Sequence, residues 1–234
     1  DTVRTAYYEY SNPMGLEGLL MQYPLSWCFR IGLVLVCAVL AFLGWEGSSR
    51  VSYTLRRLSV GHRALTLLWA GYGFFCLLFF WAAHLGTLLA LCAAALPRLA
   101  PEFSGPQALF LACYRDPYLH SLLPLDDCLL WVRNLSMCAA LGTAAASFSF
   151  QRRMGRRAFA ILPLAALSAL CFPLPMGSFE FGGPAEFLRP YLYDGIFYSA
   201  DGLPSVLGPV LLFVSLCVLA ASLCQILRRD PYEE

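Results

Sequence analysis

The chain has 234 residues, of which 59% are hydrophobic and 13% are charged, and its formal net charge at pH 7 is +1. This composition is too apolar for an average soluble domain, and the near-zero charge argues against nucleic acid as a partner. All 16 basic residues are arginine, so the chain lacks the lysine of a phosphate-loop ATPase. We therefore expect an integral membrane protein that is not itself an ATPase.

Five apolar segments are the main feature of the sequence, since a helix needs about 20 apolar residues to cross a bilayer. They predict an all-α, polytopic membrane helix bundle, with residues 1–234 forming a single transmembrane domain. The segments are residues 24–45, 64–96, 126–150, 158–173 and 203–227.

The first 23 residues are polar to amphipathic and precede the first crossing, and we expect them to be external. A chain needs an upstream crossing or a cleaved signal to place Asp1 outside the membrane. We therefore expect a sixth helix before Asp1 in the gene product.

Arginine density orients the predicted crossings. Three dense groups follow the first, third and fifth segments, while the gaps 97–125 and 176–202 are long and rich in turn residues. Positive residues near segment ends stay in the cytoplasm, so the Asp1 end and these two loops are predicted outside and the C-terminus inside. We expect a multi-pass protein of a bacterial plasma membrane. The dense groups are Arg50, Arg56, Arg57 and Arg63; Arg152, Arg153, Arg156 and Arg157; Arg228 and Arg229.

The second segment contains no turn signal, so we expect one helix about 50 Å long, against a hydrocarbon core of about 30 Å. Each external loop is expected to hold a short interfacial helix, QALFLACYR in the first and PAEFLRPYLYDGIFYSADG in the second. The third crossing has a face of small residues, which helix contacts in lipid favour. This face consists of Cys138, Gly142, Ala145 and Ser149.

The gap 46–63, with the sequence EGSSRVSYTLRRLSVGHR after Trp45, predicts an amphipathic helix in the cytoplasm. Its residues Val51, Thr54, Leu55 and Leu58 follow helical spacing on one, mostly apolar, face. Such a face can dock into a groove on a soluble partner. It can equally lie on lipid while the arginines fix the topology, and the residues alone leave both alternatives open.

The stretch SYTLRRLSVGHRALTLLW resembles a loop in the permease subunits of six-helix, type-2 ABC exporters. In that family a tyr-thr-leu-arg-arg-leu-pro stretch forms a coupling helix that docks on the ATPase and precedes a long membrane helix. Ser59 stands where the family often has proline. The matching residues are Tyr53, Thr54, Leu55, Arg56, Arg57 and Leu58.

This resemblance implies a permease subunit that moves an amphipathic or hydrophobic substrate and works with separate ABC ATPase subunits. ATP and magnesium would bind to those subunits, with no cofactor in this chain, and a second permease, identical or different, would complete the pathway. A non-transporting anchor or assembly subunit is the alternative. Co-purification of an ATPase separates the two.

Three polar residues at membrane depth are candidates for a translocation path: His84, Arg133 and Asn134. Ionisable groups in such places are costly and therefore point to function. A hydrogen bond between helices is the simpler hypothesis for His84. Arg133, like Arg30, lies near the outer interface, and we expect it to extend its charged end into water.

Eight of the ten cysteines lie in apolar segments, where cysteine behaves as a small hydrophobe. Cys113 and Cys128, in or beside the first external loop, are the candidate disulfide. No pair shows the spacing of a metal site, and we find no HExxH, GxSxG or phosphate-binding glycine motif. We therefore predict no metal site and no catalytic residues.

Overall fold

A computed structural model describes residues 25–43, 62–99, 107–125, 127–153, 161–171 and 203–228, together with Leu16, Leu20 and Gly105. This part of the chain is helical and contains no strand, which confirms the all-α prediction. Its helices are α1 (Leu25–Leu43), α2 (His62–Ala95), α3 (Ala108–Arg115), α4 (Pro117–Leu122), α5 (Cys128–Arg153), α6 (Ile161–Cys171) and α7 (Leu203–Arg228).

Four of these helices, α1, α2, α5 and α7, contain stretches long and apolar enough to cross a membrane. Their length and composition are those of a multi-pass membrane protein, as the sequence predicts. The predicted crossing at 158–173 is described only as α6, which has 11 residues, whereas a crossing takes about 20. Four crossing helices are thus supported, and the fifth stays a prediction.

The long second segment forms one uninterrupted helix, α2, of 34 residues, as expected. At 1.5 Å per residue this helix is about 51 Å long. Its buried positions recur at intervals of three, four or seven residues, which places them on one face. The opposite face exposes large apolar side chains, with Phe75 at 68% and Phe79 at 76% exposure, and such a face suits contact with lipid. The buried positions include Ala70, Leu77, Trp81, Leu88 and Cys92.

Two short helices, α3 and α4, occupy the first predicted external loop. The helix predicted from QALFLACYR is confirmed as α3. The helix α4 is not predicted from the sequence, because Pro117 lies among the turn residues of this loop. Asp116 is in fact the N-cap of α4, with its Oδ1 accepting the Leu119 N–H at 2.8 Å, and proline suits the first helical position.

The described residues divide into two compact units. Unit 1 contains residues 25–29, 81–99, 107–125, 127–130 and 203–208, and therefore includes α3 and α4. Unit 2 contains residues 30–43, 62–80, 131–153, 161–171 and 209–228, and therefore includes α6. Each unit has its own packing.

In unit 2, α2 and α5 touch through two glycines. A Cβ atom added at Gly142 would lie 2.6 Å from the Phe74 nitrogen and 3.0 Å from the Ala70 oxygen. A Cβ atom added at Gly73 would lie 3.2 Å from the Gly142 Cα atom. The two backbones are therefore too close for any side chain at Gly142. The predicted small-residue face of α5 is confirmed, since its other members, Cys138, Ala145 and Ser149, are all buried.

Polar side chains join three helices near the last turns of α5. The Ser147 hydroxyl donates to Gln225 Oε1 on α7 at 3.0 Å, and the Gln151 amide donates to the same oxygen. The Ser149 hydroxyl lies 3.3 Å from the Ala41 carbonyl oxygen on α1, to which it donates. Hydrogen bonds between membrane helices contribute about 0.6 kcal/mol each, so this cluster adds to packing that the small residues already provide.

Several predictions fall on residues outside the described part of the chain. They concern the external segment 1–23 apart from Leu16 and Leu20, the loop 46–63 apart from its last two residues, and the second external loop 176–202. Their topology and helical content stay predictions.

Candidate functional site

The six residues that match the coupling helix, 53–58, lie outside the described residues. Shortly after Leu58, α2 begins at His62. The predicted loop therefore leads directly into the longest helix described.

His84 lies in unit 1, where it contacts the short external helix α4. Its Nε2 atom is 2.6 Å from the Tyr118 hydroxyl oxygen, a hydrogen-bond distance. The edge of the Phe29 ring also packs against it, with ring centroids 5.2 Å apart. His84 thus joins α2 to α4, which fits the simpler hypothesis of a hydrogen bond between helices. Its place in a translocation path stays a prediction.

Trp81, one turn before His84, makes a second bond to α4. Its indole N–H donates to the Leu122 carbonyl oxygen at 3.1 Å, and Trp81 itself is buried. This bond satisfies a carbonyl in the last turn of α4, where helices leave carbonyls without partners. Leu119 and Leu122 of α4 are fully buried, so α4 is held by both apolar burial and hydrogen bonds.

Arg133 and Asn134 lie together on α5 in unit 2, and both are 0% exposed. The Arg133 Nε and Nη2 atoms donate to Asn134 Oδ1 at 3.2 and 3.1 Å. The Ser136 hydroxyl donates to the Arg133 carbonyl oxygen at 2.9 Å. These contacts form a buried polar cluster within the first three turns of an apolar helix.

The expectation that Arg133 extends into water is wrong, because no part of its surface is exposed. The position of Arg133 on the helix explains why it is buried. Met137, Ala140 and Ala144 follow Arg133 at intervals of three or four residues, and all three are buried. Arg133 therefore lies on the packed face of α5, while Arg30 on α1 is half-buried.

α6 also has a buried polar residue in unit 2. Ser168 is 0% exposed, and its hydroxyl has no hydrogen-bond partner among the described residues. Cys171, one turn later, is buried as well. Since residues three apart share a helix face, Ser168 and Cys171 lie on one buried side of α6.

Cys113 and Cys128 are both free thiols in the structure, and only Cys128 is exposed. Burial raises the pKa of the Cys113 thiol, and the nearby Asp116 carboxylate raises it further. Cys113 is therefore a poor nucleophile at neutral pH. The bridge between the two stays a prediction that mass spectrometry of non-reduced peptides tests.

No group of three or more histidine, cysteine, aspartate or glutamate residues within the described ranges could hold a metal ion. Among the candidate path residues, these ranges bring together two separate polar groups, His84 with Tyr118 and Arg133 with Asn134. The first joins two helices. The second is a buried polar pair on α5.

Comparison with known proteins finds no family model, no curated protein and no solved structure that matches this chain.

Proposed function

We propose that this chain is the permease subunit of an ATP-driven ABC exporter, which moves an amphipathic or hydrophobic substrate across or out of the membrane. The observation that carries this proposal is the stretch Tyr53–Leu58, which resembles a coupling helix and is followed directly by the 34-residue helix α2. In the family it resembles, a loop of this kind docks on the ATPase and leads into a long membrane helix.

The position of α2 suits it to receive motion from the loop. The helix begins at His62, within the loop 46–63, and continues without a break to Ala95. Displacement of the loop by an ATPase would therefore act directly on a helix that is long enough to cross the membrane.

The composition of the chain indicates that ATP would bind to another subunit. The chain has no lysine and no glycine-rich phosphate loop, so ATP and magnesium would bind to separate ATPase subunits. We propose two permeases, identical or paired, with two ATPases, because a chain of this size would not enclose a complete pathway.

The proposed arrangement is that of a bacterial plasma-membrane protein with the arginine-rich loop 46–63 and the C-terminus in the cytoplasm. Residues 1–23 and the two long loops would face outward, and α6 would belong to a fifth crossing.

A double variant of the loop, Leu55→Asp with Leu58→Asp, tests the proposal. Two carboxylates on the apolar face would be buried without partners in the docked state, a severe cost. We expect the variant to insert in the membrane and to lose the co-purifying ATPase and transport. The matched control is Ser52→Asp with Ser59→Asp, which adds the same charge beside the apolar face and should retain the ATPase.

Recovery of the ATPase at wild-type yield with the Leu55 and Leu58 double variant would refute the docking assignment. The chain would then be better explained as a non-transporting anchor or assembly subunit, whose loop lies on lipid. That alternative predicts that the double variant and its control insert in the membrane and retain their partners to the same extent.

A further inference from the structure

We propose that the helix pair α3–α4 docks on lipid, with Phe110 and Leu111 of α3 inserted into the membrane surface near the start of α1. The last turns of α2 then lie outside the hydrocarbon core. This inference goes beyond the exporter, because it involves neither an ATPase nor a transported substrate. The residues that carry it belong to unit 1.

The length of α2 alone does not determine where the membrane surface crosses it. Its apolar stretch, Arg63–Arg98, contains 36 residues, whereas a crossing takes about 20. Even a tilt of about 40°, the upper end of the usual range, would place only about 26 residues in the hydrocarbon core. Several turns of α2 must therefore lie outside the core, and its contacts with other helices show which turns these are.

α1 shows where the membrane surface meets α2. The Phe29 ring on α1 packs against the His84 ring on α2, with centroids 5.2 Å apart. α1 begins at Leu25, about 6 Å from Phe29 along the helix axis. Trp27 in its first turn is 57% exposed, and tryptophan is enriched at membrane–water interfaces. The surface therefore lies about 6 Å from the level of His84, whereas α2 continues for about 16 Å beyond His84 to Ala95.

The helix pair α3–α4 is fixed to α2 at this same level. The Trp81 indole N–H donates to the Leu122 carbonyl oxygen, and His84 Nε2 lies at hydrogen-bond distance from the Tyr118 hydroxyl. Trp81 and His84 are three residues apart, so they share one face of α2. α4 therefore lies beside the turn of α2 that is closest to the membrane surface.

α3 has an exposed apolar face. Phe110 is 59% exposed and Leu111 is exposed as well, whereas Ala112 is buried. The Tyr114 ring stacks on Phe110 and also packs against the His120 ring of α4, which holds α3 to α4. A helix with such a face lies in the membrane surface, with its apolar side about 5–10 Å deep at the boundary of headgroups and acyl chains. Lipid is the partner that this face meets, because α4 holds α3 beside the membrane surface.

Photocrosslinking of the full chain in intact cells tests this inference. p-Benzoylphenylalanine is incorporated in place of Phe110, which keeps an aromatic ring at an exposed position, and mass spectrometry identifies what is attached after irradiation. We expect phospholipid adducts formed through the acyl chains. The same replacement of Phe79, on the exposed face of α2, is the positive control and should give the same adducts.

Ala94 tests the level of the membrane surface. It is exposed in the last turn of α2, about 15 Å beyond His84 along the helix axis. The same replacement at Ala94 should give no phospholipid adduct above background, although it lies on the same helix as Phe79.

Three results would overturn the proposal. Absence of phospholipid adducts at position 110, with adducts at position 79, would exclude docking on lipid. A crosslink from position 110 to another protein chain would assign the face to a protein partner instead. Phospholipid adducts at position 94 as abundant as at position 79 would show that the surface does not lie near His84. These measurements do not need an ATPase, so the exporter can fail while the lipid docking holds, and the reverse.

Discussion

α2 and α5 are both long enough to cross a membrane, but the more apolar of the two is the less buried in the protein. α2 is rich in Leu and Phe, yet only 17% of its most apolar stretch is buried in the protein. α5 is rich in Ala and Ser and carries Arg133 and Asn134, yet 61% of the corresponding stretch is buried. In a soluble protein the more apolar helix would be the more buried.

The difference shows what holds a membrane bundle together. Lipid is as apolar as leucine, so large apolar side chains gain little by leaving it, and close packing and hydrogen bonds drive helix association. α5 provides both through Gly142 and through Ser147 and Ser149. α2 keeps one buried face for packing and leaves Phe75 and Phe79 for lipid. Substitutions on the two helices should therefore have very different effects.

The largest effect is expected from adding one methyl group at the contact between the two helices. In Gly142→Ala the new carbon would lie 2.6 Å from backbone, so α2 and α5 must separate. We expect a loss of about 3 kcal/mol, the upper end of the usual cost of overpacking, measured as reversible unfolding in mixed micelles.

The control for this prediction is Gly86→Ala on α2, where an added Cβ atom would meet nothing within 4 Å. Alanine is a better helix former than glycine by about 1 kcal/mol, so the same substitution should be neutral or stabilising. Equal destabilisation by both variants would contradict the close contact at Gly142.

An intermediate effect is expected where α2 holds α4 in unit 1. Trp81→Phe removes the N–H that donates to Leu122, and Tyr118→Phe removes the hydroxyl that contacts His84. Each should cost about 1 kcal/mol, the value of one hydrogen bond. Hydrogen exchange should accelerate in the α4 amides and stay unchanged in α5. Equal acceleration of hydrogen exchange in α4 and α5 would show that the effect of these substitutions is not confined to α4.

The smallest effect is expected on the exposed face of α2. Phe79→Ala removes a large side chain that is 76% exposed and should change stability by less than about 0.5 kcal/mol. Met137→Ala, at a buried position of α5, should instead cost about 2 kcal/mol, the lower end of the usual cost of such a truncation. Similar losses in the two variants would mean that Phe79 is covered by protein rather than lipid.

The sequence predicts the helical segments well, because their apolar composition and the absence of turn residues in 64–96 leave few alternatives. It also predicts the small face of α5, because small residues recur there at helical spacing. The burial of Arg133 is not predicted. The small face does indicate burial nearby, because extending it by one turn toward the N-terminus reaches Asn134, the residue next to Arg133. The helix α4 could not be predicted, because an Asp-Pro pair suits both a loop and the start of a helix.

Other features could not be predicted from the sequence at all. The bonds of His84 to Tyr118 and of Trp81 to Leu122 join residues 34 and 41 positions apart, and no local pattern specifies such a pairing. The surroundings of the Ser168 hydroxyl likewise depend on which helices pack around it. These are consequences of tertiary packing.

The proposal that this chain works with an ATPase is tested most directly by purifying it intact from its native membrane. Mild detergent, affinity capture and mass spectrometry would identify its partners, and the same preparation would be assayed for ATP hydrolysis. We expect a stoichiometric partner with a lysine-containing phosphate loop and ATP hydrolysis in the complex. A stable complex of this chain that contains no ATP-hydrolysing subunit would contradict the proposal.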